Sequence, residues 1–245
     1  GGDGTDKNTT RVYASGLGPT NVVATARAQQ ARGFTAFKFK VGFGAKIDEA
    51  NFTDLREAVG DDVTIMIDAN QAWGLDEARA QMERLATFRP AWVEEPLAAD
   101  CSLDSWSTLS SSMSIPLAAG ENVRGLQAFE NQLANRHLTF VQPDVGKWGG
   151  ITGALAVAQL AREHHATLCP HWLGGGVGLA ASLHLRAGLG TDGYVEVDSN
   201  PNPLRDEIFE LPTPRDGWIK LSEQPGIGID PDLDRLARFV RNHRY

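Results

Sequence analysis

The sequence predicts an α/β fold in which eight parallel strands close into a barrel wrapped by helices. Three observations carry this prediction. Short apolar, β-prone runs alternate with longer amphipathic stretches, the pattern of a parallel sheet with helical crossovers. Eight such strands fit into 245 residues, and roughly 250 residues is typical of a single (β/α)8 barrel. No G-x-G-x-x-G follows the first strand, so an open dinucleotide-binding sheet lacks its main signal.

The elements follow in order. Residues 1–10, GGDGTDKNTT, have no apolar periodicity and read as a tail or linker. The barrel occupies 11–199. It starts with a strand at 12–14 and a helix at 22–31, then a strand at 36–41 and a helix at 47–59. The run 63–67 is almost continuously apolar, as a strand covered on both faces should be, and a helix follows at 75–88. Further strands are expected at 91–93, 115–119, 139–141, 166–168 and 194–197. Between them lie helices at 103–110, 126–135, 153–163 and 177–187. Residues 200–245 form a loop-rich segment broken by Pro201, Pro203, Pro212, Pro214, Pro225 and Pro231, with a short helix at 233–240.

Composition limits the partners. Lys and Arg number 23 against 31 Asp and Glu, a net charge of −8. Such a chain has no basic surplus to neutralise phosphates, so neither nucleic acid nor an anionic membrane is expected as a partner. No apolar run reaches the roughly 18 residues of a membrane span, and no signal peptide opens the chain. Cys101 and Cys169 make no disulfide framework, so a cytoplasmic setting is expected.

The informative residues stand where the strands end, which in a barrel is where catalytic groups sit. Lys38 and Lys40 end the second strand, Asp68 and Asn70 the third, and Glu94 and Glu95 the fourth. Glu121, Asp144, His171 and Glu196 follow the fifth to eighth. Taken from Lys40 through Asp68 and Glu94 to Glu196, successive positions are 23 to 28 residues apart, about one strand–helix unit each. All are therefore expected on one rim.

Asp68, Glu94 and Glu121 come from adjacent strands, and three close carboxylates cannot all stay ionised without a cation between them. Oxygen donors favour a hard ion, Mg²⁺ before Mn²⁺ or Ca²⁺. In Phe37-Lys38-Phe39-Lys40 the side chains alternate, so both lysines point into the barrel. Two adjacent ammonium groups should depress each other's pKa, which would free one to act as a base. Asp144 and His171 on neighbouring strands suggest a carboxylate-oriented imidazole. Glu196 is placed to hydrogen-bond a developing oxyanion if protonated. His164, His165 and His184 fall within helical stretches and read as structural.

These residues fit abstraction of the proton next to a carboxylate. A divalent ion neutralises the enediolate, with Lys40 on one face and His171 on the other. Returning the proton to the opposite face is racemisation. Expelling a β-hydroxyl with acid help from His171 is dehydration.

The motifs Lys38-Phe39-Lys40, Asp68-Ala69-Asn70, Trp92-Val93-Glu94-Glu95-Pro96, Gly120-Glu121-Asn122, Gln142-Pro143-Asp144, Pro170-His171 and Glu196 stand in order. With them, residues of about 12–230 resemble the barrel domain of the enolase superfamily, mandelate racemase subgroup. The resemblance implies a TIM-type (β/α)7β barrel and an N-terminal α+β capping domain, which is expected to be absent from this chain. The 200–245 segment would pack on that cap. It implies Mg²⁺, with Mn²⁺ as a substitute, on Asp68, Glu94 and Glu121. It implies Lys40 and the His171–Asp144 dyad as bases, with Lys38 as electrostatic neighbour of Lys40 and Glu196 near the substrate carboxylate. Asn70 would sit near a substrate hydroxyl, with Lys147 and Trp148 also on the substrate side. The expected substrate is a small carboxylic acid, and the assembly a homo-oligomer.

The reaction expected first is dehydration of an acid sugar to a 2-keto-3-deoxy acid. Racemisation or epimerisation of a 2-hydroxy or amino acid is the alternative. A glycine-rich loop, Gly174-Gly175-Gly176-Val177-Gly178, raises a third reading, a phosphosugar isomerase. A non-catalytic barrel fragment is the fourth.

Overall fold

The computed structural model describes residues 8–190 and 192–240. The expected tail lies outside the described residues for 1–7, as do 241–245 of the C-terminal segment. The chain runs β1 (Thr9–Leu17), α1 (Val22–Ala31), β2 (Ala36–Lys40), α2 (Ala45–Val59), β3 (Thr64–Asp68), α3 (Leu75–Leu85) and β4 (Val93–Glu94). It continues through α4 (Leu103–Ser112), β5 (Leu117–Ala119), α5 (Leu126–Ala134), β6 (Phe140–Val141), α6 (Gly150–Glu163) and β7 (Thr167–Leu168). It ends with α7 (Gly176–Ala187), β8 (Tyr194–Asp198), α8 (Pro203–Asp206), β9 (Trp218–Lys220) and α9 (Leu233–Ala237). Among the described residues, no helix is long and apolar enough to cross a membrane.

Helix sequences follow the burial they achieve. In α2 the buried positions Asp48, Phe52, Leu55 and Val59 fall three or four apart on one face. In α3, Ala78, Met82 and Leu85 do the same, with Asp76 and Glu77 in the first turn and Arg84 in the last. Those charges complement the helix dipole at both ends. The α4 helix starts at Ser102, whose hydroxyl accepts the Ser105 N–H at 3.2 Å.

The parallel strands hydrogen-bond in the order β7-β6-β5-β4-β3-β2-β1-β8. At the two ends of that order, the Glu196 N–H donates to Pro170 O and the Tyr194 N–H to Cys169 Sγ, each at 3.4 Å. The sheet is therefore curled until β8 meets the residues after β7. Its concave side is filled by Tyr13, Ala36, Met66, Trp92, Ala118 and Cys169, with Phe140 and Tyr194 packed against them. Trp92 lies 4.7 Å from Phe140 and 5.6 Å from Tyr13, and Tyr13 lies 6.3 Å from Tyr194, between ring centroids. Rings from such distant strands touch only because the sheet is rolled. Intervening residues such as Phe37, Phe39, Ile65, Ile67, Val93 and Val141 point outward and pack with Phe52, Met82, Trp106 and Phe129 of the helices.

Period two then sets the next inward level. Two residues beyond Ala36, Met66, Trp92, Phe140, Cys169 and Tyr194 stand Lys38, Asp68, Glu94, Gln142, His171 and Glu196. An apolar floor thus lies directly beneath a polar layer.

Two features differ from expectation. The first strand is longer than 12–14, because Thr9, Thr10 and Arg11 pair antiparallel with Lys220, Ile219 and Trp218 of β9. That strand lies in the Pro-rich segment, where periodicity is too short to announce it. Arg11 stacks over the Trp218 ring at 4.9 Å, which anchors the segment beneath the first strand.

Candidate active site

The polar layer is a continuous chain of ionic contacts. Lys40 Nζ lies 2.6 Å from Asp68 Oδ2 and also donates to Asn70 Oδ1. Asp68 lies 3.6 Å from Lys38 Nζ, which reaches Glu94 Oε1 at 2.6 Å and Glu196 Oε1 at 2.8 Å. The far oxygen of Glu196 lies 3.5 Å from His171 Nε2, and that nitrogen meets Glu121 Oε2 at 2.6 Å. His171 Nδ1 meets Asp144 Oδ2 at 2.5 Å. Lys38, Asp68, Glu94 and Glu196 are all at most 1% exposed. Lys40 is the more open end of this chain, with a fifth of its side chain exposed.

Each position has a local cause. Register aligns Lys40 with Asp68 and Asp68 with Glu94 across β2, β3 and β4. Asp144 and His171 form an isolated parallel bridge beyond β6 and β7, so their side chains emerge together. Asp144 Oδ1 is held by the Gly146 and Lys147 N–H groups at 2.7 and 2.9 Å. Gly120, ahead of Glu121, has φ +148°, and a Cβ there would lie 2.7 Å from the Gln142 backbone. Only glycine lets these chain segments approach so closely. Gln142 donates to Glu94 Oε2 at 2.5 Å.

The charges set the protonation states. Burial pushes Glu94 up, and Asp68 and Glu196 add to it, so its pKa stands at about 8 despite Lys38. Burial also opposes ionisation of Glu196, but Lys38 and His171 hold it down to about 2. Burial disfavours a charged His171, yet Glu196, Asp144 and Glu121 raise it to about 10. Burial opposes ionisation of Glu121 too, but the same imidazolium, with Lys147 at 3.2 Å, holds it far below its ordinary value. Lys38 is raised as well: burial opposes its charge, but Glu196 and Glu94 outweigh it. This corrects the expected depression of Lys38. The nearest charges to Lys38 are carboxylates, so it stays an ammonium.

Most of the expected residues meet here: Lys38, Lys40, Asp68, Asn70, Glu94, Glu121, Asp144, Lys147, His171 and Glu196. Trp148 is placed elsewhere. Its ring packs 5.7 Å from Phe129 of α5 and over Gly153 of α6, because the turn after Asp144 directs it into the helix layer. The expected glycine-rich phosphate loop is also differently used. A Cβ at Gly174 or Gly178 would strike the Trp172 ring, and one at Gly176 the Phe209 ring. These glycines make room for aromatics.

Glu95, Asn122 and Gln71 are drawn into the site as well. Glu95 is 1% exposed, and both its oxygens accept from Asn122, at 2.8 and 3.1 Å. Asn122 also donates to Glu121 Oε1 at 2.9 Å. Asn70, Gln71 and Glu95 have φ of 45°, 63° and 42°, a conformation that costs of order 1–3 kcal/mol per residue and concentrates at functional sites. The Gln71 N–H binds Glu95 O at 2.7 Å and ties the two strained turns together. The E-E-P and G-E-N motifs named Glu95 and Asn122 but not their contact.

A divalent cation suits the donor set in kind. Asp68, Glu94 and Glu121 offer hard carboxylate oxygens from three adjacent strands. Among the described residues, no group of three or more His, Cys, Asp or Glu side chains is arranged as it stands to hold a metal ion. Each carboxylate instead faces an internal cation: Asp68 faces Lys40, Glu94 Lys38, and Glu121 His171.

Residues 21–235 match the family model described as enolase C-terminal domain-like. D-galactarolactone cycloisomerase of Agrobacterium fabrum is 32% identical over 86% of this chain and 58% of its own length. L-talarate/galactarate dehydratase of Salmonella typhimurium is 32% identical over 80% of this chain and 48% of its own. The chain thus spans about half the length of these curated relatives. A mandelate racemase/muconate lactonizing enzyme structure from Bordetella bronchiseptica RB50 superposes with TM-score 0.89 at 40% identity, over 97% of this chain and 66% of that one. A Streptomyces coelicolor A3(2) racemase structure with bound magnesium gives TM-score 0.84 at 30% identity, over 96% and 64%. A curled α/β sheet with this ordered set of strand-end residues belongs with the TIM-type barrels of these enzymes: the chain is a member of the enolase superfamily, in its mandelate racemase group, and comprises the C-terminal domain.

Proposed function

We propose that this domain removes the proton α to the carboxylate of an acid sugar and expels the β-hydroxyl as water, yielding a 2-keto-3-deoxy acid. The observation that carries the reading is the unbroken ionic chain from Lys40 to His171–Asp144, with a proton-handling group at each end. The complete barrel is taken as (β/α)7β, the eighth strand being followed by the C-terminal segment.

Asp68, Glu94 and Glu121 would hold Mg²⁺, which, when bound, supplies positive charge to offset the charge that develops on the substrate carboxylate. Lys40 Nζ takes the α-proton as general base. Its contacts to Asp68 and Asn70 fix the nitrogen at the rim. His171, raised to about 10 and so protonated near neutrality, gives the Nε2 proton to the departing β-hydroxyl. The enol that remains ketonises to the product. Asp144 fixes the ring through Nδ1. Lys38 stays charged and tempers the buried carboxylates, Glu196 lies between the two cations, and Asn70 is placed for a substrate hydroxyl. Lys147, beside Glu121, flanks the dyad. Burial of the polar layer strengthens each of these interactions.

The dehydratase among the relatives supports this reaction. The racemase structure supports the alternative, in which Lys40 and His171 serve opposite faces of one carbon. A panel of acid sugars incubated with the protein and Mg²⁺ in D₂O separates them. A 2-keto acid means dehydration, whereas inverted substrate carrying α-deuterium means racemisation. Absence of both, with the full-length protein and the whole panel, would sink the reading.

A further inference from the structure

We propose that Trp172 is a positioning residue that locks the His171–Asp144 dyad and Glu196 in their working arrangement. It follows His171 directly in the chain. Its backbone N–H donates to Glu196 Oε2 at 3.1 Å, and its indole Nε1–H donates to Gly175 O at 2.9 Å. The ring is enclosed by three glycines from different places. A Cβ at Gly146 would lie 2.7 Å from it, at Gly174 2.8 Å, and at Gly178 2.0 Å.

None of these three glycines has a positive φ, so the backbone does not require glycine at any of them. The room they leave for the indole is what a side chain would take away. Gly146 is also the residue whose N–H holds Asp144 Oδ1 at 2.7 Å. One side chain therefore bears on the turn that holds Asp144, and its own backbone carries both His171 and the donor to Glu196. Gly178 lies in the first turn of α7 and touches no group of the ionic chain.

Gly178→Ala tests this at a distance from the chemistry. Alanine is the better helix former, so any loss reports its collision with the ring. Displacing His171 by a fraction of an ångström to an ångström should lower kcat by up to about 10²-fold. KM should move by no more than about threefold, the pattern of an interaction made in the transition state. Trp172→Phe, which keeps a ring and loses the Nε1 donor, should retain more activity than Trp172→Ala. In the Trp172→Ala background, Gly178→Ala should add no further loss, because the obstructing ring is gone.

The kinetic arm rests on the α-proton reading above. Amide hydrogen exchange needs no substrate and is independent of it. In Mg²⁺ buffer, Gly178→Ala should raise exchange at the 171–172 amides at least tenfold relative to those of α6, and Trp172→Ala should do the same. Faster exchange in an enzyme that turns over nothing would support the positioning role while refuting the functional reading. A folded Gly178→Ala protein with unchanged exchange at these amides overturns the positioning role. So does an equal Gly178→Ala loss with and without Trp172.

Discussion

Replacing Lys38 by Met should be among the most destabilising single changes in this chain. The ammonium is 1% exposed and touches Glu94 at 2.6 Å and Glu196 at 2.8 Å, with Asp68 at 3.6 Å. Methionine keeps most of the stem that lies below the charge, where Nζ sits 5.3 Å from the Tyr13 ring centre. The loss is therefore mainly electrostatic. Removing one partner of a buried ion pair costs about 3–5 kcal/mol, since the other charge is left uncompensated. For a chain of this size about 1 kcal/mol shifts Tm by roughly 2–4 °C, so Tm should fall by roughly 6–20 °C. The assay is thermal and urea denaturation at pH 7 with a chelator present. Lowering the pH should narrow the deficit, because Glu196, which Lys38 and His171 hold down to about 2 against burial, takes up a proton more readily once Lys38 is gone. A change within about 0.5 kcal/mol, the size of an ordinary surface substitution, would refute the claim that Lys38 holds these carboxylates together.

The same cluster predicts further behaviour. Mg²⁺ should stabilise the protein, by about 2.7 kcal/mol at one hundred times its Kd, and Glu121→Gln should reduce that gain; calorimetric titration and Tm shifts check both. In chelator, Glu196, held down to about 2 from 4.5, contributes stability that is present above pH 4.5 and lost as pH falls toward 2. Glu94, raised from 4.5 to about 8, weakens the fold as pH rises through that interval, and the contribution of His171 is full below 6.5 and lost as pH approaches 10. Stability from this cluster should peak near pH 4.5 and decline to pH 10, and a flat profile between pH 5 and 9 would contradict the assignments. Trp148→Ala should destabilise by up to about 3–5 kcal/mol, the cost of a large ring lost from packing, while leaving KM unchanged; a raised KM would return Trp148 to the substrate side.

Much of this was legible in the sequence because alternation along a strand survives folding. Phe37-Lys38-Phe39-Lys40 announced which side chains face inward, and the spacing of Asp68, Glu94 and Glu121 announced a common rim. Less legible was anything decided by loops. Trp148 and Trp172 both follow a strand-end polar residue, yet the turn after Asp144 sends one into the helix layer and the glycines around the other seat it beside the dyad. No local pattern distinguishes the two. Glu95 hid for a related reason: its importance lies in a strained backbone and a contact to Asn122, 27 residues away. The protonation of Lys38 is not legible along β2 alone, because β4 and β8 bring the carboxylates Glu94 and Glu196 beside it. β9 leaves no local signal because its partner, at the start of β1, lies about two hundred residues earlier.

The central claim is that Lys40 and His171 handle protons at opposite ends of one carboxylate-lined layer. The most direct measurement is α-deuterium incorporation into an accepted acid sugar in D₂O with Mg²⁺, for the wild type, Lys40→Ala and His171→Asn. Lys40→Ala should abolish both exchange and product. His171→Asn should retain exchange at the α-carbon while product formation falls by about 10²–10⁴-fold, the usual loss of a positioned acid. Exchange at the wild-type rate in Lys40→Ala would contradict the account.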